Sequence, residues 1–435
     1  MKKIKVFLLF VGLIYANICI AQSGWIAQES FTKYNLNKVH FVNESTGYIV
    51  GDSGSPFPNY GILLKTTNGG INWIKSHFSG GLFDLAFTNN NSGYAVGTLV
   101  TFAPAIFMTT NAGTNWSSSA LTAYFSSISF INTFTGYIAG QMGRISKTTD
   151  SGISWNVQTS GTTQYGFADM FFTNLLTGYV IGNENYNAAL IVKTTNAGIN
   201  WSTNFTFAGK IFNSIYFVNN NTGYIAGGMH ETPSFNTGII LLTTNTGNNW
   251  LVQINNVYTD LNSVFMVNAD TGYTAGGKMG FAFGNIILKT TNGGIEWINQ
   301  PIPTTRGLNS IIFINSEIGY SVGKWGTILK TTTGGNIVSV QNLSSEIPNN
   351  FNLTQNYPNP FNPQTKIKFA VPKSSFTKLI IYDLLGREVT TLVNEELKPG
   401  TYEADWDGSN FSSGVYFYKL VAGDFVETNK MVLMK

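Results

Sequence analysis

The chain has 435 residues, more than one domain usually holds, so at least two folding units are expected. Only 11% of the residues are charged and the formal net charge is +3, with no basic cluster, which argues against nucleic acid and anionic membrane as partners. A single cysteine excludes a disulfide framework and any cysteine-rich metal site.

The first segment, residues 1–21, reads as a secretory leader. Lys2, Lys3 and Lys5 form a charged start, Val6 to Ile14 is apolar, and Cys19-Ile-Ala21 offers small residues for cleavage after Ala21. Ile18 stands where a lipoprotein signal carries a small residue, so plain cleavage is expected rather than lipidation at Cys19. The only cysteine then leaves with the leader.

Beyond the leader the chain repeats itself. TTNGGINW (Thr66–Trp73) returns as copies ending at Trp116, Trp155, Trp201, Trp250 and Trp297, and a seventh copy, TTTGGN from Thr331, has no tryptophan. Neighbouring tryptophans lie between 39 and 49 residues apart, a spacing found in propeller blades and some helical arrays. Each copy reads as a folded turn: Thr and Asn or Asp bond nearby backbone N–H groups, Gly supplies positive φ, and Trp anchors the next strand.

A second motif, Gly47-Tyr-Ile-Val-Gly51, precedes each turn and recurs around Tyr94, Tyr137, Tyr179, Tyr224, Tyr273 and Tyr320. Each unit therefore reads as four antiparallel strands: a (LxxIxF), b (GYxxG), c (IxxKTT) and d (WxxQ). The seventh unit lacks strand d, while Gly24-Trp-Ile-Ala-Gln28 stands alone before the first strand a. A chain whose first strand completes its last unit closes a ring, which removes exposed sheet edges. The expected fold is all-β: a seven-bladed β-propeller over residues 22–336, a linker at 337–350, and a small Ig-like β-sandwich at 351–435. Strands of that sandwich are expected at 366–371, 378–382, 401–406, 414–421 and 425–433.

The turn repeat resembles the Asp-box (BNR) pattern Ser/Thr-x-Asp-x-Gly-x-x-Trp, with Asn in most copies and Asp only at Asp150. Together, GYxxG, KTTNxG and W are also similar to the photosystem assembly factor family of propellers (Ycf48-like), which usually carries Trp where Tyr48 and its equivalents stand. The resemblance implies the fold; proteins of such repeats include sialidases, glucanases and assembly factors, so it does not imply one function. The tail resembles the type A C-terminal sorting domain of the type IX secretion system. The motifs are Asn356-Tyr-Pro-Asn-Pro-Phe-Asn-Pro363, Ile381-Tyr-Asp-Leu-Leu-Gly-Arg387, Trp406-Asp-Gly408, Ser413-Gly-Val-Tyr-Phe-Tyr418 and Lys430-Met-Val-Leu-Met-Lys435. That resemblance implies a β-sandwich read by the outer-membrane translocon and a mature protein that is secreted or held at the cell surface.

Catalytic constellations are sparse. A sialidase-type carboxylate clamp needs three arginines, and the propeller holds Arg144 and Arg306. Asp52, Asp84, Asp169, Glu184, Glu231 and Asp260 belong to different units; Asp84 and Asp169 share one strand-a position with Lys38, Ser127, Ser214, Ser263 and Ser310 and are expected to line a polar central channel. His40, His77 and His230 show no metal-ligand spacing. No catalytic residue, metal or cofactor is assigned.

The a–b and c–d turns are uniform, whereas the b–c loops on the opposite face vary and display aromatics that the repeat does not require. Phe57, Tyr60, Phe102, Tyr186, Phe235, Phe281, Phe283 and Trp325 are such residues; the assigned binding set is Tyr60, Phe57, Phe235, Phe283, Trp325 and Arg306. The expected protein is a monomeric, non-enzymatic binding module for a polysaccharide or surface protein. The alternatives are a secreted glycoside hydrolase or lyase and an assembly or scaffold factor.

Overall fold

The computed structural model describes residues 24–54, 60–184, 188–232, 235–277, 285–336, 340–344, 346–409 and 411–435. The expected leader lies outside them. Among the described residues there is no α-helix; two short 3-10 turns, Gln141–Gly143 and Lys324–Gly326, interrupt an otherwise all-β chain.

Ahead of residue 336, the described strands form seven antiparallel four-stranded sheets. The first holds strands a to d at Asn35–Phe41, Gly47–Asp52, Gly61–Thr66 and Ile74–Phe78. Strands b and c are mostly apolar and buried because both of their faces are covered, while strand d is largely exposed. Packing runs between sheets. Tyr48, Val50 and Leu63 of the first sheet share a buried cluster with Leu82, Leu85 and Phe107 of the second. An equivalent cluster fills every junction around the ring, including the one joining Tyr320, Val322 and Ile328 to Leu36, Ile49 and Leu64. The ring closes as the orphan strand suggested: Gly24–Gln28 pairs antiparallel with Ile328–Gly335, placing Ile26 opposite Lys330 and Gln28 opposite Ile328. Trp25 is 1% exposed there, edge-on to Tyr273 and Phe313.

The turn motif has one hydrogen-bond plan. Thr66 Oγ1 accepts from the Asn68 and Gly70 amides and donates to Asn68 Oδ1, which also accepts from the Asn72 amide. Asp150 repeats this with Thr148 and Ser154. Two consecutive residues take positive φ, not the second glycine alone: Ala112, Ser151, Ala197 and Thr246 are left-handed before their glycines, where the other copies have Gly69, Gly293 and Gly334.

These turns are gripped from the neighbouring sheet. The strand-b tyrosine donates its hydroxyl proton to a carbonyl of the next turn: Tyr48 to Ala112, Tyr94 to Ser151, Tyr137 to Ala197, Tyr179 to Thr246, Tyr224 to Gly293, Tyr273 to Gly334 and Tyr320 to Gly69. In five of the seven, the KTT lysine (Lys65, Lys147, Lys193, Lys289, Lys330) donates to the same oxygen. Met108 and Leu242 stand in its place in the second and fifth sheets. In six of the seven the tyrosine ring stacks on a phenylalanine of the next strand a, as Tyr48 does on Phe87 at 4.1 Å; Met266 stands there beside Tyr224.

The C-terminal part is two packed four-stranded sheets around Phe361, Phe369, Leu379, Trp406 and Tyr418. The expected strands are present, and Glu388–Leu397, Asn352–Leu353 and Val340–Ser344 join them. The last lies inside the segment read as a linker and pairs with Gly400–Asp407. Its polar composition masked it, because only an edge strand is needed there. The proline-rich entry motif is a clamp. Asn356 is buried, donating to Pro358 O and Thr365 Oγ1, and Phe361 exchanges backbone bonds with Val432 of the final strand and with Met434 just beyond it.

This packing sets the cost of three substitutions. Tyr94→Phe strips the Ser151 carbonyl of its tyrosine in a sheet without the lysine, whereas Tyr137→Phe leaves Lys147 on Ala197. Denaturant titration is expected to show a loss of about 1–2 kcal/mol for the first and less than about 1 kcal/mol for the second. Equal losses would overturn the shared-acceptor account. Trp25→Ala, in the closing strand, is expected to cost about 3–5 kcal/mol in the same titration.

Candidate functional site

The candidate carboxylates lie in the central channel. Every strand a has a bulge near its start, where two residues oppose one on strand b. The bulge turns two successive side chains towards the next sheet. At the second of them, Asp84 accepts from the Ile128 amide, Asp169 from Ile215, Ser214 from Val264, Ser263 from Ile311 and Ser310 from Val39, while Ser127 donates to Asp169. The channel carboxylates therefore serve as bridges between sheets.

Lys38 completes that position with its ammonium 3.4 Å from Asp84. Burial works to lower its proton affinity, but the charges of Asp84 and Asp169 and the Asp84 contact outweigh it and hold Lys38 above the ordinary lysine range. Burial likewise pushes the Asp84 carboxyl up, against the pull of Lys38. His40 is driven down to about 4 by burial and by Lys38, so it is neutral at physiological pH. Lys38, His40, Asp84, Asp169, Phe171 and Tyr216 line a channel cavity of about 360 Å³. Among the described residues no group of three His, Cys, Asp or Glu stands together as a metal site.

At the first bulge position, Asn37 donates to Leu82 O, Ser126 to Phe167 O, Asn213 to Leu261 O, Asn262 to Leu308 O and Asn309 to Leu36 O. Ala168 breaks the column in the fourth sheet, and Asn183 of the adjoining strand supplies the bond to Phe212 O instead. In the second sheet the position is Phe83, which carries no donor. A cavity of about 300 Å³ opens beside it, lined by Phe83, Phe102, Tyr124 and Phe125 with Thr98, Ser126 and Gln141. Its rim is held by the Tyr124 hydroxyl on Phe102 O (2.7 Å) and the Gln141 amide on Tyr124 O (2.9 Å). Phe102 sits at φ 63, a conformation that costs a β-carbon-bearing residue energy. Among the described residues no charged side chain lines the cavity.

This pocket belongs to the face carrying the b–c and d–a loops, where the binding set was expected. Of that set, Arg306 and Trp325 come together, the guanidinium lying 5.0 Å from the ring centre. Trp325 is 46% exposed at the tip of the Lys324–Gly326 turn, with φ 56. Tyr60 is exposed on the first sheet, its backbone paired with Ser53. Phe57 and Phe283 lie outside the described residues, as does the side chain of Phe235.

Two junctions share one backbone frame and differ in what they display. Gly326 packs on Thr32 O, and Gly143 packs in the same way on Thr162 O. Ser30 and Ser160 make matching bonds to Thr32 and Thr162. The frame around Gly143 shows Met142 and Gly161; the frame around Gly326 shows Trp325 and Phe31. Phe31 is 74% exposed at φ 53, where the equivalent Gly161 has φ 80. Sequence reading missed Phe31, Phe83, Tyr124 and Gln141. Aligning the repeats by column signals the first two, since Phe83 stands in a column of Asn, Ser and Ala and Phe31 where Gly161 stands.

Residues 355–434 match the family model of the secretion system C-terminal sorting domain. No curated protein matches the chain. Among solved structures the chain is similar to YCF48 bound to D1 peptide, with a TM-score of 0.55 and 17% identity over 71% of this chain and 97% of that one. It is similar to YCF48 from Cyanidioschyzon merolae, at 0.53 and 16% over 71% and 98%. A third similar structure is the WD40 β-propeller domain of Doa1, at 0.51 and 9% over 71% and 95%. At such identities the likeness shows the fold, a β-propeller; the tail shows export to the cell surface or beyond.

Phe31→Gly is expected to raise the melting temperature, because relieving a left-handed Phe gains about 1 kcal/mol. A lower melting temperature would mean that the ring contributes packing and is not merely displayed.

Proposed function

We propose that the exported protein is a non-catalytic binding module: a seven-bladed Asp-box propeller whose b–c face holds a surface polysaccharide, delivered by an Ig-like sorting tail. The observation that carries this reading is the neutral aromatic pocket at Phe83. Aromatic walls with hydroxyl and amide groups and no charge suit an uncharged pyranose ring, which offers an apolar face and a hydroxyl edge. The Trp325–Arg306 pair and Phe31 add aromatic surface on the same face. The hydrolase reading is weaker because Asp84 and Asp169 are already committed to backbone amides of the next sheet. A peptide ligand is the second reading, favoured by the likeness to a propeller solved with a bound peptide.

The test is a glycan array with the chain from Gln22 onward, paired with an assay for glycan cleavage. Saturable binding of neutral glycans without cleavage, weakened at least about tenfold by Phe102→Gly or Trp325→Ala, is the expected result. Cleavage products would overturn the non-catalytic reading. An array without binding, together with capture of a surface peptide, would replace the polysaccharide by a protein partner.

A further inference from the structure

The sorting tail contains a feature that its own packing does not use. Between strands Ser375–Tyr382 and Glu388–Leu397 the chain turns through Asp383-Leu-Leu-Gly-Arg387. Asp383 organises that turn: Oδ1 accepts from the Leu385 and Arg387 amides, and Oδ2 takes the Arg387 Nε–H at 2.7 Å. Backbone bonds from Asp383 N to Arg387 O and from Gly386 N to Asp383 O close it, with Gly386 at φ 74. Leu384 and Leu385 ride on this framework and are 70% and 76% exposed. Five hydrogen bonds within five residues thus hold two leucines out in water.

Two adjacent leucines on a rigid tip gain nothing in the free molecule; a tip merely turning the chain is served by polar residues, as at Gly423-Asp424 between the last two strands. A preorganised apolar tip loses little entropy on docking. Its charges cancel internally, since Asp383 and Arg387 pair with each other, so the complementary seat is apolar and uncharged. The turn falls inside the segment that matches the sorting-domain family, whose role is recognition by secretion machinery.

We propose that Leu384 and Leu385 form the apolar plug by which the tail docks into an apolar cleft of the outer-membrane secretion machinery. Asp383 and Arg387 act as positioning residues that present the plug, and the propeller takes no part.

The experiment expresses the full chain in a bacterium that possesses this secretion system and measures its distribution between periplasm and exterior. Leu384→Ser with Leu385→Ser is expected to cut the exterior fraction at least about tenfold, with periplasmic accumulation. Both side chains are exposed, so the purified variant is expected to keep its melting temperature. Tyr357→Ser, at another highly exposed apolar residue of the tail, is the control and should export normally. A photoreactive residue at position 384 should cross-link to an outer-membrane component in the native chain, and one at 357 should not. Normal export of the double serine variant would overturn the proposal, as would equal cross-linking from both positions. Reduced export that coincides with a lowered melting temperature and no cross-link from 384 would also overturn it, by assigning the leucines a folding role.

Discussion

The ring depends on one contact made seven times: a tyrosine hydroxyl from strand b held against a carbonyl in the turn of the following sheet. The turn carbonyls that point sideways are not used by its own sheet, and burying them unpaired would be costly. The tyrosine satisfies them, stacks in six of the seven joints on the neighbouring Phe, and so fixes the distance and angle between adjacent sheets. Glycine at the turn is a consequence, because a β-carbon on Gly70 would lie 2.8 Å from the Tyr320 ring. The repeat is thus a joint between sheets as much as a turn within one.

The channel obeys the same economy. Most bulges aim one side chain at a carbonyl of the next strand a, and most aim the following one at an amide, so neighbouring sheets are stitched at the axis as well as at the rim. This explains how Asp, Ser and Lys share one position without disrupting the fold: what matters is a polar group that reaches across, to an amide from Asp and Ser or to the Asp84 carboxylate from Lys38. It also makes exceptions informative. Ala168 is compensated by Asn183, so that junction stays stitched. Phe83 is not a substitute of that kind; it exchanges a stitch for a ring and leaves a space that Phe102 and Tyr124 enclose.

The four-strand units and the closing strand at Trp25 were legible because repetition amplifies weak signals: seven aligned turns leave little freedom in where strands begin. The strand Val340–Ser344 was not, since a short polar edge strand has neither alternation nor a flanking turn to mark it. The site was legible only in part. Trp325 and Arg306 stand out as residues outside the pattern, yet their stacking depends on the meeting of two loops from different sheets. Phe83 and Phe31 look like ordinary apolar residues until set against Asn37 and Gly161, their counterparts elsewhere in the ring.

The closing strand imposes an order on how the protein can be made. Gly24 and its partner Gly335 stand at opposite ends of the propeller sequence, so the first strand to be synthesised finds its place last. Until then the seventh sheet lacks its outer strand, and Trp25 is missing from the core it shares with Tyr273 and Phe313. Bringing such distant segments together carries the loop-closure entropy of the whole propeller, which makes closure a late and slow event. The sorting tail comes directly after Gly335 in sequence. A chain carrying a whole tail therefore already contains every strand the ring needs to shut.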